Sequence, residues 1–166
     1  MLINRKWAMP NKWTFSMKPI QELLYKYEVG AGWIDPFSGQ NIVTQFENNL
    51  QTTGIDAFEY LEKFESKSLN GALFDPPYSL TKVKRCYNHV GIKDWQSKFG
   101  NNKNGGFPNV KDEIARVLKD DSLCISFGWN SNGLGKVRGF EIIEVLIIAH
   151  GGNRNDTITT VERKIK

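Results

Sequence analysis

Cysteine is scarce in this chain. Only Cys86 and Cys124 occur among 166 residues, and neither has metal-type spacing to His89 or His150. Neither a disulfide framework nor a zinc site fits that count, and no metal is expected. Cys124 lies in an apolar run as plain core, whereas Cys86 lies among polar residues. Long hydrophobic stretches are missing as well. The longest run, Val145 to Ala149 with Ile142 and Ile143 before it, is too short to span a membrane and is interrupted by Glu144. No secretory signal opens the chain, so a cytoplasmic, reducing environment without a membrane partner is expected.

Charge of one sign is in small excess. The formal net charge of +4 permits a nucleic-acid partner without demonstrating one. No repeat, low-complexity tract or linker divides the sequence. A single domain over 1–166 is expected, with a hydrophobic fraction of 40% to fill its core.

What is present concentrates around Leu73-Phe74-Asp75-Pro76-Pro77-Tyr78. The apolar residues 72–74 read as the end of a buried strand, which the prolines must stop because they cannot donate to a sheet ladder. Asp75 then stands at the carboxyl end of a strand, where open α/β sheets bind ligands. Asp75 and the Pro76 carbonyl can accept both protons of an exocyclic amine while Tyr78 stacks on the ring that bears it. Acceptors fixed in advance would ready the nitrogen for attack on an electrophile.

From the start of the chain, Pro19 opens a helix whose Ile20, Leu23, Leu24 and Tyr27 share a face, with Ser16 or Thr14 at its entry and Gly30 at its end. Gly32–Asp35 is a short strand running into a turn of Pro36, Phe37, Ser38, Gly39, Gln40 and Asn41, where Gly39 and Asn41 suit positive φ. The β-branched run after it predicts a second strand over Asn41–Phe46, so the helix expected there is shortened or absent. Glu47, Asn48 and Asn49 follow as a turn or as partners for sugar hydroxyls. Asp56 caps a helix over Ala57–Phe64.

Ser79 to Asn109 reads as a long polar loop. It carries Lys82, Lys84, Arg85, Lys93, Lys98 and Lys103 against Asp94, with Tyr87, Trp95, Phe99 and Phe107 interleaved. Cations with aromatics suggest a nucleic-acid contact surface. Beyond it come a helix at Val110–Lys119, a strand at Leu123–Phe127, a turn at Gly128–Gly133, a strand at Glu141–Ala149, a loop from His150 and an edge strand at Thr157–Arg163. This order predicts an α/β fold, mainly parallel with an antiparallel end.

Lys18-Pro19-Ile20-Gln21-Glu22-Leu23-Leu24, Asp35-Pro36-Phe37-Ser38-Gly39 and Asp75-Pro76-Pro77-Tyr78, in that order, resemble motifs X, I and IV of amino-methylating DNA methyltransferases. The D-P-P-Y form is typical of adenine N6 enzymes, and the chain is most similar to small phage- or prophage-encoded members. The resemblance implies a Rossmann-like fold and S-adenosylmethionine as cofactor. It implies that Asp35, Phe37 and Gly39, with Pro36 and Ser38, line the methionine end, bordered by Ser16, Lys18 and Pro19. Glu47, Asn48 or Asn49 would meet the ribose, Asp56 with Ala57 the cofactor's adenine, and Asp75, Pro76, Pro77 and Tyr78 the target adenine. Asn41 departs from the motif, which usually has glycine there.

The expected function is methylation of N6 of an adenine flipped out of double-stranded DNA, with His150 or Trp129 closing the far side of the base. Rival readings are a catalytically degenerate DNA-binding or partner subunit, and an enzyme acting on RNA or on a glutamine amide. No separate target-recognition domain is evident, so segment 79–109, a homodimer or a second subunit would supply further DNA contacts.

Overall fold

The structure is a computed structural model that describes residues 1–94 and 106–165. Among these residues, one seven-stranded sheet carries the architecture. Its strands are β1 (Leu2–Trp7), β2 (Trp33–Asp35), β3 (Phe46–Glu47), β4 (Leu69–Phe74), β5 (Leu118–Gly128), β6 (Phe140–Ala149) and β7 (Thr157–Lys164). They lie in the order β1-β6-β7-β5-β4-β2-β3. All pairings are parallel except those of β7, which runs antiparallel to β5 on one side and β6 on the other. The strand expected at an edge is therefore inside the sheet. Its residues account for this: Thr159, Thr160 and Val161 are fully buried, and even Glu162 is. The edge on that side is β1, from an N-terminal segment whose sequence shows little periodicity, and β3 forms the other.

Each strand residue faces one of two cores, as a period of two requires. Ile34, Ala72, Phe74 and Cys124 turn toward the helices α3 (Ala57–Leu61), α4 (Leu80–His89) and α5 (Pro108–Val117). Trp33, Leu73 and Ile125 turn the other way, toward α1 (Lys18–Lys26) and the N-terminal segment. Helix α1 begins with Pro19 in its first turn and buries Ile20, Leu23 and Leu24. It stops before Gly30, at Lys26, and neither Thr14 nor Ser16 caps it; the two belong to a short 3-10 turn instead. Lys26 Nζ and Tyr27 Oη both donate to buried Glu144 at 2.5 Å, and Asn4 donates to its other oxygen, which docks the helix on β6 and β1. Although burial opposes the charge, those three donors hold the Glu144 carboxyl below its usual range.

Two more expectations change. The strand predicted over Asn41–Phe46 shrinks to the pair Phe46–Glu47, because one oxygen of Glu47 accepts the backbone N–H groups of Val43 and Thr44 and the Thr44 hydroxyl. Those residues coil around a carboxylate rather than extend along a neighbour. As expected, no helix follows β2 among residues 36–45. In the segment read as a loop, α4 is a helix capped by Ser79, with Val83 and Tyr87 buried four residues apart.

Between β2 and β4 the packing leaves no slack. Trp33 pairs with Gly71, and a Cβ on Gly71 would fall 2.3 Å from the indole. Gly71→Ala should therefore push Trp33 aside and lower the unfolding free energy by roughly 1–3 kcal/mol, read as a lower urea midpoint with an unchanged slope.

Candidate active site

At the carboxyl edge of the sheet, Asp35 and Glu47 end adjacent parallel strands in direct register, and Asp75 follows the next strand over. Asp35 is fully buried. One of its oxygens accepts the Phe37 N–H at 3.0 Å, which sets the turn through Pro36. Its other oxygen, and Glu47 Oε2, have no hydrogen-bond partner among the described residues. Burial first, then the Glu47 carboxylate, push the Asp35 carboxyl well above its usual range, and Asp75 adds to this.

Residues 36–38 of the turn after Asp35 and the Asp75 corner border one cavity of about 310 Å³, while Asp35, Gly39, Glu47 and Asp56 lie behind its lining. Pro36, Phe37, Ser38, Asn49 and Ala57 line the cavity. Asp75, Pro76, Pro77, Tyr78 and Lys82 line it as well. The Tyr78 hydroxyl donates to Asp75 Oδ1 at 2.5 Å. Burial raises the Asp75 carboxyl, and hydrogen bonds from Tyr78 and Thr14 partly offset the rise. Burial and the Asp75 charge in turn push the Tyr78 phenol far up, so it remains a donor. Trp129, from the turn after β5, meets Tyr78 edge to face at 5.7 Å, and Lys82 Nζ lies within 6 Å of both rings.

Other residues singled out in the sequence sit elsewhere. Gly39 does not take positive φ, nor does Asn41; Gly39 packs against Trp13, and Asn41 Nδ2 donates to Ser16 Oγ at 2.6 Å, tying the turn to the segment before α1. Ser16, Lys18 and Pro19 line a second, neighbouring cavity, and it is Thr14 and Met17 beside them that reach the first. Asn48 is fully buried and spends its amide on the Ile55 carbonyl and the Thr53 hydroxyl, bracing the loop from inside. Asn49 caps the short helix α2 (Leu50–Thr53) and donates to the Gly39 carbonyl. Asp56 is buried and caps α3 through the Glu59 N–H. His150 lies in neither cavity lining; its ring is held by the Ala8 carbonyl and the Thr157 hydroxyl.

Of the cations assigned to nucleic-acid contact, Lys82 reaches the cavity, while Lys84, Arg85 and Lys93 are exposed beyond it. Lys98 and Lys103, with Trp95 and Phe99, lie outside the described residues. Tyr87 and Phe107 are buried in the core rather than presented on a basic surface: Tyr87 borders the first cavity from within, and Phe107 packs on Phe37 at 5.2 Å. Lys12, Leu50 and Gln51 line the cavity without having stood out in the sequence, and Thr14, expected only at a helix entry, lines it too. Lys12 carried a readable signal, a cation beside Trp13; the rest are brought in by folding alone.

Neither a family model nor a curated protein matches this sequence. Among solved structures, TrmN from Thermus thermophilus aligns over 90% of this chain and 49% of its own, at 14% identity and a TM-score of 0.51. The chain shares the fold of that protein, a mixed α/β, Rossmann-like sheet. A second Thermus thermophilus protein, named as a DNA modification methylase, covers 67% of this chain and 51% of its own, at 13% identity and a TM-score of 0.41. A Methanosarcina mazei protein named as a SAM-dependent methyltransferase covers 87% and 86%, at 13% identity and a TM-score of 0.43. The chain spans about half the length of each of the two Thermus proteins, and at these identities the likeness concerns the fold.

The buried Asp35 should leave a mark on stability. Its native carboxyl titrates above the ordinary 3.8, so the native state binds the proton more tightly than the unfolded chain. Stability is then lost as pH rises from 3.8 through the native value, by up to about 1.4 kcal/mol per pH unit. Asp35→Asn should raise the urea midpoint at pH 8, with the gain shrinking toward pH 4.

Proposed function

We propose that the chain is an S-adenosylmethionine-dependent methyltransferase acting on the N6 amino group of an adenine turned out of DNA. One observation carries the reading: the turn after Asp35 and the rigid corner Asp75–Tyr78 border a single cavity at the carboxyl edge of the sheet. The cofactor fits on a separate count. Two buried carboxylate oxygens, on Asp35 and Glu47, lack partners at adjoining strand ends, and an ammonium and sugar hydroxyls would satisfy both. When bound, S-adenosylmethionine supplies an electrophilic methyl group. Asp35 to Gly39 would hold its methionine end, with Ser16 acting through Asn41. Glu47 and Asn49 would hold the ribose, and Ala57, with Asp56 fixing the start of its helix, the adenine.

The protein's own groups then have separate tasks. Asp75 and the Pro76 carbonyl accept the two amine protons, which turns the nitrogen lone pair out of conjugation and toward the methyl donor. Tyr78, flanked by Trp129, stacks on the base and offsets the few kcal/mol that extrusion costs. Asp75 takes the proton that the methylated amine releases, and its raised pKa suits it to that role better than an ordinary carboxylate would be. Lys82, Lys84, Arg85 and Lys93 would meet phosphates.

A second reading, a non-catalytic DNA-binding or partner subunit, draws support from the missing helix after β2 in residues 36–45 and from Asn41 at the end of the turn. Tritiated methyl transfer onto DNA and RNA panels, followed by digestion to nucleosides, separates the readings and names the modified base. Asp75→Ala should reduce transfer at least about a thousandfold while calorimetry still records S-adenosylmethionine binding; unchanged turnover would remove Asp75 from the chemistry.

A further inference from the structure

The cleft continues past the first cavity. A second cavity of about 450 Å³ lies against the carboxyl end of β1, and the two meet at Asn11 and Met17. Trp7 borders this second cavity with its side chain 64% exposed, beside Met9 at 69%. Neighbouring exposed apolar side chains rimmed by polar groups mark an interaction site. The segment supplies them: through residue 22 the chain carries Arg5, Lys6, Lys12 and Lys18 against Glu22 alone. Lys6 bonds Glu22 at 2.5 Å, whereas Lys12 Nζ lies over the Trp13 ring at 4.7 Å.

This ledge is held in place. Ala8 N–H donates to the Ala149 carbonyl at 3.2 Å. His150 Nδ1–H donates to the Ala8 carbonyl at 2.9 Å, and Nε2 bonds the Thr157 hydroxyl at 2.8 Å. Trp7 is thus fixed at the sheet edge that also carries Asp75. Between the strands bearing these residues lie β5, β7 and β6. Four strand spacings put them roughly 19 Å apart. That is about five to six stacked base steps at 3.4 Å each.

We propose that residues 5–18 form a second nucleic-acid contact surface for an unpaired strand flanking the target, on which Trp7 stacks an unpaired base about five nucleotides from the target adenine and Lys12 meets a phosphate in between. Aromatic faces spaced with cations bind single strands in this way. The inference rests on the methyltransferase reading for its target base, and it extends that reading from the base to its flank. An apolar peptide would use Trp7 and Met9 but leave the cations without purpose.

The test is an anisotropy titration of two fluorescein-labelled single-stranded oligonucleotides, with about ten and about two nucleotides on each side of a central adenine. Trp7→Ala should weaken the longer one about tenfold and the shorter one less than about twofold, and Trp7→Phe should restore most of the loss. Lys12→Gln should lower the slope of log K against log salt by about 0.7. Circular dichroism checks that each variant is folded. Equal losses on both oligonucleotides, unchanged binding and slope in both variants, or a folded Trp7→Phe that restores nothing overturns the proposal. So does preference for anionic lipid vesicles over the longer oligonucleotide. S-adenosylmethionine calorimetry on the parent protein reads the first cavity separately: its failure counts against the methyltransferase reading and leaves the oligonucleotide result intact.

Discussion

A carboxyl group deprived of water at the end of a three-residue strand is the constraint behind the whole candidate site. Asp35 is fully buried, one oxygen satisfied by its own turn and the other by nothing among the described residues. Burying an acid with one oxygen unsatisfied is expensive, and a second acid, Glu47, stands in register beside it. Apolar packing on both faces of the sheet holds the pair there: Ile34 on one side, Trp33 locked against Gly71 on the other. The two acids differ in their surroundings: among the described residues Asp35 has only the Phe37 N–H, whereas one oxygen of half-buried Glu47 accepts from Val43 and Thr44. Strain of this kind is tolerated where a ligand relieves it.

The loop that follows makes do without a helix. Where a βα unit would present helix N–H groups, Glu47 instead gathers the N–H groups of Val43 and Thr44 on one oxygen, and Asn48 ties the base of the loop to residues 53 and 55. Asn41 reaches across to Ser16, so the segment before α1 and the turn after β2 are fastened to each other. The same carboxyl edge carries the Asp75 corner, the Trp129 turn and the end of β1. The cleft therefore follows the sheet edge from β3 toward β1, rather than a hole in one place.

Much of this could be read from residue order. Pro19 with Ile20, Leu23 and Leu24 foretold α1, Asp56 foretold the start of α3, and the apolar run before Asp75 foretold β4 and its abrupt end. These are local matters: side-chain spacing, caps and the geometry of proline act over a few residues. The failures have one common cause. Val43 and Thr44 are β-branched and read as strand, yet the Glu47 carboxylate three and four residues on claimed their backbone. Tyr87 and Phe107 look like aromatics in a basic loop, yet each found a core to fill. Val83 and Tyr87 did carry a helical spacing, but the cations between them, Lys84 and Arg85, masked it.

Position in the sheet was out of reach from the same information. Thr157–Lys164 alternates as an edge strand would, and its place between β5 and β6 is set by which neighbours bury Thr159, Thr160 and Glu162. β1 has almost no pattern, since an edge strand exposed along most of its length needs none. Residue order alone was enough for the acids, the prolines and the strands they end, because backbone stereochemistry and apolar periodicity act locally. It took the folded chain to bring the two corners onto one cavity and to stand Trp7 further along the same edge. Strand order depends on contacts between residues more than a hundred positions apart, as where β1 pairs with β6, and no local rule encodes those.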